Sequence, residues 1–235
     1  MSGVAAGPFR FRPGLTAAFV AAFLVLLGLG SWQVARLQWK TGLIARTEAL
    51  ANREPVRLDA DLVQANEYAH VWLTGGFPTD AVLHVAGTHA GAPGYFVFQP
   101  FRPDEGGHGL VLVNRGFVRA DERRDTYPLP SADRLTGLVR DYGSRGPFAA
   151  PPDADGRTAY DRSYETLTAP FASVADEAGF ARFYIDSTLP TALPRGGTTR
   201  LDFSNRHLGY AITWYGLAGG LLAVFLVMSQ ERRRP

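Results

Sequence analysis

Two long uncharged runs, one near each end of the chain, constrain its fold more than any other feature. Pro13–Ala35 and Leu208–Gln230 each contain 23 residues without a charged side chain. A helix of that length measures about 35 Å, which is enough to cross a bilayer hydrocarbon core of roughly 30 Å. The sequence therefore predicts a membrane protein with two transmembrane helices, separated by a segment of about 170 residues.

The first run follows a short tail with Arg10 and Arg12, and basic residues before an apolar run are also typical of a secretory signal. However, the run is long, no small-residue cleavage site follows it closely, and helix-compatible sequence continues to Ala51. We therefore expect an uncleaved helix. Trp32 and Arg36 near its end are typical of the membrane interface, where aromatic rings and snorkelling cations concentrate.

Basic residues at the two ends predict the orientation. Arg10 and Arg12 precede the first run and Arg232–Arg234 follow the second, which favours both termini in the cytoplasm. Arg36 and Arg206, which lie between the two runs, favour the opposite orientation. However, long segments translocate largely regardless of charge. Because the tail is too short for a mitochondrial transit peptide, we expect a bacterial cytoplasmic (inner) membrane. The predicted boundaries are a cytoplasmic tail at 1–12, transmembrane helices at 13–35 and 207–230, a periplasmic β-rich domain at 36–206 and a second tail at 231–235.

The middle segment has the pattern of a β domain. Short runs rich in β-branched and aromatic residues alternate with turn signals such as Gly75-Gly76. Leu110–Val113 is apolar on both faces, which predicts a central, fully covered strand, and Thr168–Gly179 has a helical pattern with Thr168 as N-cap. We expect a mainly antiparallel β (α+β) domain, built as a small barrel or sandwich. The predicted strands are 68–77, 81–86, 95–101, 110–118, 135–141 and 182–186.

Composition excludes several classes of site. The chain has no cysteine, which rules out disulfides, iron–sulfur ligation and covalent haem attachment. Acidic residues outnumber basic ones in the middle segment, so nucleic acid is not an expected partner. The motifs of serine hydrolases, zinc peptidases and P-loop proteins are absent, and an enzyme is not expected. Four histidines there lack the spacing of a metal site, and hydrogen-bonded or surface roles are expected for them: His70, His84, His89 and His108.

Arg115 and Gly116 follow the predicted central strand. One interpretation is a bulge, in which Gly116 takes a special backbone angle and Arg115 pairs with a nearby carboxylate. The other makes Arg115 a contact for an anion or a partner. We favour the bulge, because buried arginines are usually paired.

The entry to the second apolar run carries the most specific pattern in the chain. Five of its residues are spaced to share one helical face: His207, Tyr210, Ala211, Trp214 and Ala218. A neutral imidazole at a membrane surface, above aromatic and small residues, could hold a flat apolar cofactor by its metal. The alternative is that these residues have a structural role at the membrane surface, because His, Tyr and Trp all favour the headgroup zone. Gly216 and Gly220 would then serve close packing against Gly28 and Gly30 of the first helix.

Three motifs occur in order along the chain: Leu29–Lys40 (LGSWQVARLQWK), Val111–Val118 (VLVNRGFV) and Asn205–Ala218 (NRHLGYAITWYGLA). Together with the two apolar runs, they resemble the surfeit-locus family of cytochrome c oxidase assembly factors. The resemblance spans nearly the whole chain. It implies a two-helix membrane protein that assists the maturation of haem–copper oxidases.

The resemblance also implies a cargo. Bacterial members are proposed to take up haem a and pass it to the large oxidase subunit, and the histidine that enters the second helix is their proposed iron ligand, which here is His207. We expect Tyr210 and Trp214 to line the macrocycle, and Arg36 and Arg206 to pair with its propionates. The expected partners are the large subunit of cytochrome c oxidase, haem a synthase and membrane lipid. The alternative is a membrane scaffold that stabilises oxidase assembly intermediates without binding a cofactor.

Overall fold

The chain divides into two compact units, which the computed structural model describes over residues 13–58, 67–105, 109–130, 132–199 and 205–229. One unit is formed by residues 1–46 and 202–235, and the other by residues 47–201. His108 and the basic tails at 1–12 and 231–235 lie outside the described residues. The first unit contains two long helices, and the second contains a β-sheet.

The described residues contain three α-helices: α1 (Pro13–Ala51), α2 (Tyr164–Thr168) and α3 (His207–Ser229). By length and composition, α1 and α3 could each cross a membrane. α1 continues well past residue 35, where the sequence places the end of the first transmembrane segment. It ends at Ala51, a few residues before Pro55, and a proline disfavours helical geometry in the residue that precedes it, here Glu54.

Nine strands form the sheet of the described residues: β1 (Val56–Arg57), β2 (His70–Leu73), β3 (Gly75–Gly76), β4 (Leu83–His89), β5 (Ala92–Pro103), β6 (Leu110–Arg119), β7 (Leu135–Asp141), β8 (Thr158–Ala159) and β9 (Phe180–Ser187). Hydrogen-bonded neighbours follow the order β1-β2-β7-β9-β6-β5-β4-β8, and β3 pairs with β5. Each predicted strand region holds at least one of these strands. The predicted strand at 68–77 is two strands, β2 and β3, separated by Thr74.

β6 lies at the centre of the sheet and is covered on both faces, as its apolar sequence predicts. Leu110 and Leu112 belong to a core cluster that includes Leu167 of α2. Val111 and Val113 point to the opposite face and pack in a second cluster around strands β2, β7 and β9. All four side chains are fully buried. The strand therefore supplies apolar residues to two cores, because successive side chains alternate between faces.

The sheet is mixed: five of its strand pairings are antiparallel, as the sequence pattern predicts for most of the sheet, and the others are not. Three pairings are parallel: β1 with β2, β4 with β8, and β6 with β9. A parallel pair needs a long crossover, and β7, β8 and α2 all lie between β6 and β9 along the chain. The path of paired strands runs from β1 to β8, and among the described residues no pairing joins these ends into a closed barrel.

The helical segment before β9 begins earlier than its sequence pattern predicts. Ser163, rather than Thr168, is the N-cap, because its hydroxyl accepts a hydrogen bond from the Thr166 amide. α2 passes directly into a 3-10 turn at Ala169–Val174, which has a proline in its first turn. The segment ends with an extended C-cap at Ala175 and not at the predicted Gly179, which lies in the turn before β9 with φ of 65°.

The predicted bulge in β6 is confirmed, but the expected partner of Arg115 is wrong. Phe117 pairs with Phe96 and Asn114 with Phe98, so Arg115 and Gly116 together face one residue of β5. Gly116 has φ of 129°, and a Cβ there would lie 2.1 Å from the Arg195 carbonyl oxygen. The Arg115 guanidinium is buried and donates to the Gln99 side-chain oxygen at 2.6 Å and to the Pro128 carbonyl, not to a carboxylate.

A buried carboxylate that the sequence did not point to lies beside this bulge. Asp186 of β9 accepts hydrogen bonds from Asn114 at 2.7 Å, from Arg140 at 2.9 Å and from Thr199 at 2.9 Å. The side-chain oxygen of Asn114, Oδ1, in turn accepts from the Gly116 amide at 3.1 Å. Because every partner is a donor, the charge of Asp186 is compensated inside the domain. This network fixes the bulge and is structural.

Candidate functional site on the helix pair

α1 and α3 pack against each other in opposite directions. Near the start of α1, the Phe19 ring stacks on the Phe225 ring, with centroids 4.0 Å apart. Farther along α1, the Ser31 hydroxyl lies 3.1 Å from the Tyr215 hydroxyl. α1 residue numbers therefore rise as α3 numbers fall, and the start of α3 lies beside the middle of α1.

The contact between the helices follows a repeat of three and four residues. The α3 side chains with reduced exposure are His207, Ala211, Trp214, Ala218, Leu221, Phe225 and Ser229. Between residues 13 and 37, the α1 residues with reduced exposure include a series with the same spacing, together with Leu27, Leu29 and Val34; the series is Thr16, Phe19, Phe23, Leu26, Gly30, Gln33 and Leu37. This spacing is the seam of an antiparallel coiled coil. His207 is thus the first seam residue of α3, and Gln33 is the polar residue of the α1 seam closest to it.

His207 and Gln33 form a hydrogen bond across the seam. The distance from His207 Nδ1 to Gln33 Oε1 is 2.8 Å, although the two residues are 174 positions apart in the chain. Gln33 is buried and His207 is half-buried. An amide oxygen can only accept, so Nδ1 is the donor in this contact. The other ring nitrogen, Nε2, has no hydrogen-bond partner among the described residues.

The remaining predicted site residues lie around this pair without bonding to it. Trp214 is half-buried on the seam, whereas Tyr210 is 56% exposed and lies off the seam. Arg206 is exposed, and Arg36 is exposed with its guanidinium 4.0 Å from the centroid of the Trp39 ring. Within the described residues, no side-chain hydrogen bond or ion pair joins Tyr210, Arg36 or Arg206 to His207. The structure thus brings His207 together with Gln33, a residue that the sequence pattern did not single out.

The glycines of α3 do not pack as the structural interpretation of the sequence expected. A Cβ added to Gly216 or Gly220 meets nothing within 4 Å, and the same is true of Gly28 on α1. Only Gly30 makes a close approach, because a Cβ there would lie 2.8 Å from the Tyr215 ring. The small residues on the seam of α3 are instead Ala211 and Ala218, which are buried.

Two described histidines of the β domain, His70 and His84, are hydrogen-bonded within that domain. His70 Nδ1 lies 2.9 Å from the Arg53 carbonyl oxygen, and His84 Nε2 lies 3.1 Å from the Tyr127 hydroxyl. Burial lowers the pKa of His84 to about 4, and the nearby charge of Arg123 acts in the same direction. In the part of the chain that the structure describes, no three His, Asp or Glu side chains form a group that could hold a metal ion.

Comparisons with known proteins match most of the chain. The model of the SURF1 family matches residues 20–219. A SURF1-like protein from Monosiga brevicollis is 32% identical over 98% of this chain and 93% of its own length. Surfeit locus protein 1 of Homo sapiens is 33% identical over 81% of this chain and 69% of its own length, and that of Rattus norvegicus is 32% identical over 81% and 67%.

The matched region begins within α1, includes the whole β domain and ends within α3. It therefore contains both Gln33 and His207. These matches confirm the resemblance that the three sequence motifs predict. An assembly role also suggests that the protein is not a catalyst. The chain belongs to the SURF1 family, whose members are known in general as cytochrome oxidase assembly factors.

Proposed function

We propose that this protein binds haem a in a bacterial cytoplasmic membrane and delivers it to the large subunit of cytochrome c oxidase. The observation that carries the proposal is the state of His207. One ring nitrogen is held by the buried amide of Gln33, and the other has no partner among the described residues. An imidazole held in this way is oriented to bind iron through its unoccupied nitrogen.

The surroundings of His207 suit a flat, apolar cargo with acidic edges. Trp214 lies two turns after His207 on the same seam and supplies an aromatic surface. The exposed guanidiniums of Arg36 and Arg206 could pair with the two propionate carboxylates. A single histidine ligand suits a protein that must release its cargo, since a second strong ligand would slow release.

The proposed location is the bilayer, with both termini in the cytoplasm and the β domain in the periplasm. The outward side chains of the helix pair are apolar and open, with Val25, Ile212 and Val227 each at least 60% exposed. Such surfaces are stable in contact with lipid tails. In this arrangement, haem a synthase would supply the cargo and the large oxidase subunit would receive it.

The test is an optical spectrum of protein purified in detergent after coexpression with the enzymes of haem a synthesis. We expect Soret and α bands in the wild type, and their loss or displacement in His207→Ala. His89→Ala, which removes a histidine from β4, is the matched control and should keep the wild-type spectrum. Transfer is then measured by incubating the loaded protein with haem-free large subunit and following the pigment after separation.

The alternative, a scaffold without a cofactor, predicts a different result. Its wild type would carry no pigment and would still copurify with oxidase subunits. Full oxidase activity in cells that express only His207→Ala would also favour the scaffold, because a haem carrier cannot lose its iron ligand without losing delivery. Either result would overturn the haem proposal.

A further inference from the structure

The hydrogen bond between Gln33 and His207 has a chemical consequence for the imidazole. A neutral imidazole carries one proton on its two nitrogens, and the nitrogen without the proton is the one that can bind a metal. Gln33 Oε1 lies 2.8 Å from His207 Nδ1, and an amide oxygen accepts but cannot donate. This contact is compatible with the Nδ1–H tautomer alone. Nε2 then carries a lone pair.

The position of Gln33 makes it a rigid partner. It lies on the α1 seam one turn after Gly30, where Tyr215 of α3 approaches the backbone. Gln33 is buried although its neighbours along the seam are mainly apolar, and a buried amide without a hydrogen bond would be destabilising. His207 supplies the hydrogen bond to the side-chain carbonyl of Gln33. Loss of the His207 side chain would therefore leave the Gln33 carbonyl without its partner across the seam.

We propose that Gln33 is a positioning residue that holds His207 in the Nδ1–H tautomer, so that Nε2 is presented as the ligand atom. Histidines that bind metals usually donate their second nitrogen to a carbonyl or carboxylate, which fixes the ring and raises its basicity. Gln33 supplies such a carbonyl from the other helix. The use of Nε2 as an iron ligand rests on the proposed function, whereas the tautomer does not depend on it.

The tautomer is measured on the cargo-free protein in detergent. Long-range ¹H–¹⁵N correlation spectra of the ¹⁵N-histidine-labelled full chain distinguish protonated from unprotonated ring nitrogens, and His207→Ala assigns the signals. At about pH 8, where imidazoles are neutral, we expect His207 to be protonated at Nδ1. Gln33→Leu should shift it to the Nε2–H form, and Gln33→Glu, which keeps an acceptor at this position, should preserve Nδ1–H.

Two results of that experiment would overturn the proposal. A wild-type ring protonated at Nε2 would mean that the amide group of Gln33 donates rather than accepts. An unchanged tautomer in Gln33→Leu would mean that another group orients the ring. If Gln33→Leu does not fold, the wild-type spectrum still tests the proposal, because an Nε2–H ring would contradict it.

Haem binding provides the second readout. Removing a partner of this kind weakens metal binding by about 10- to 100-fold, so Gln33→Leu should lose haem a affinity by at least about tenfold. Gln38→Leu, at an exposed position on the same helix, is the matched control and should bind as the wild type does. Gln33→Glu should lower the midpoint potential of bound haem, because a carboxylate makes the imidazole a stronger donor.

The two proposals fail in different ways. If the wild type binds no haem while the tautomer responds to Gln33 as expected, the proposed function is wrong and Gln33 still orients His207. If the wild type binds haem and Gln33→Leu binds it equally well with the same potential, the proposed function stands and the positioning role of Gln33 is wrong.

Discussion

At the scale of single residues, His84 shows how packing sets the chemistry of a side chain. It is 2% exposed, its Nε2 contacts the Tyr127 hydroxyl, and its Nδ1 is buried without a partner among the described residues. The Tyr127 oxygen also accepts from the Arg124 amide at 2.9 Å, so it is free to donate its proton to His84. A neutral imidazole fits this site, and a charged one does not. Its pKa therefore falls from 6.5 to about 4.

This pKa predicts how the stability of the β domain depends on pH. Between pH 6.5 and 4 the unfolded chain binds a proton at His84 and the folded chain does not, so the contribution of His84 to the free energy of unfolding is present above pH 6.5 and is lost as the pH falls. Wild-type protein should therefore lose stability relative to His84→Gln across this range. Urea unfolding at several pH values measures the difference.

The control for this experiment is His89→Gln, which removes an imidazole from the end of the same strand. The pH dependence that belongs to His84 is the part that His89→Gln does not share. If the difference between wild type and His84→Gln did not change between pH 7 and pH 4, the assignment of this titration to His84 would be wrong.

At the scale of elements, the helix pair is held by a seam in which one glycine lies directly against an aromatic ring of the other helix. Gly30 lies against the Tyr215 ring, and the neighbouring Ser31 shares a hydrogen bond with the same tyrosine. Gly28, one half-turn earlier, faces open space. The two glycines have the same apolar surroundings in sequence, and only the packing distinguishes them.

Gly30→Leu should therefore weaken the pairing of α1 and α3, whereas Gly28→Leu should not. Overpacking of this kind costs about 1–3 kcal/mol. Because the chain has no cysteine, cysteines placed at Phe19 and Phe225 can be joined by a short bis-maleimide without side reactions. We expect a lower cross-linking yield with Gly30→Leu than with Gly28→Leu. Equal yields would contradict the close contact at Gly30.

At the scale of the whole molecule, the two units differ in the solvent that they require. The helix pair exposes apolar side chains along most of its length, whereas the β domain buries its apolar residues in two main clusters around β6. Family membership and helix length are consistent with a membrane protein. The proposed orientation puts the β domain on the periplasmic side and both ends of the chain in the cytoplasm.

This orientation can be tested with single cysteines in the cysteine-free chain. Phe148 is 98% exposed in the β domain, so Phe148→Cys should react with a membrane-impermeant maleimide in spheroplasts. Ser2→Cys in the N-terminal tail should react only after the membrane is disrupted. The reverse pattern would show that the β domain faces the cytoplasm, and labelling of both in spheroplasts would rule out a cytoplasmic N-terminus.

The sequence by itself determined the long helices, most strands and the family. The hydropathy of a run of about 20 residues and a short run that is apolar on both faces both depend on local composition. The helices α1 and α3 and the doubly covered strand β6 could therefore be predicted without coordinates. The three family motifs are also local. The beginning of α2 was misplaced by several residues, because Thr168 and Ser163 are both good caps and tertiary packing selects between them.

Only the tertiary structure decided which distant groups meet. The parallel pairing of β6 with β9, the donors around Asp186 and the uncharged partners of Arg115 depend on how the sheet is assembled. Likewise, the sequence identified His207 but not Gln33, since the two are separated by the entire β domain along the chain. Side-chain hydrogen bonds are short and directional, so they depend on backbone positions that no local pattern specifies.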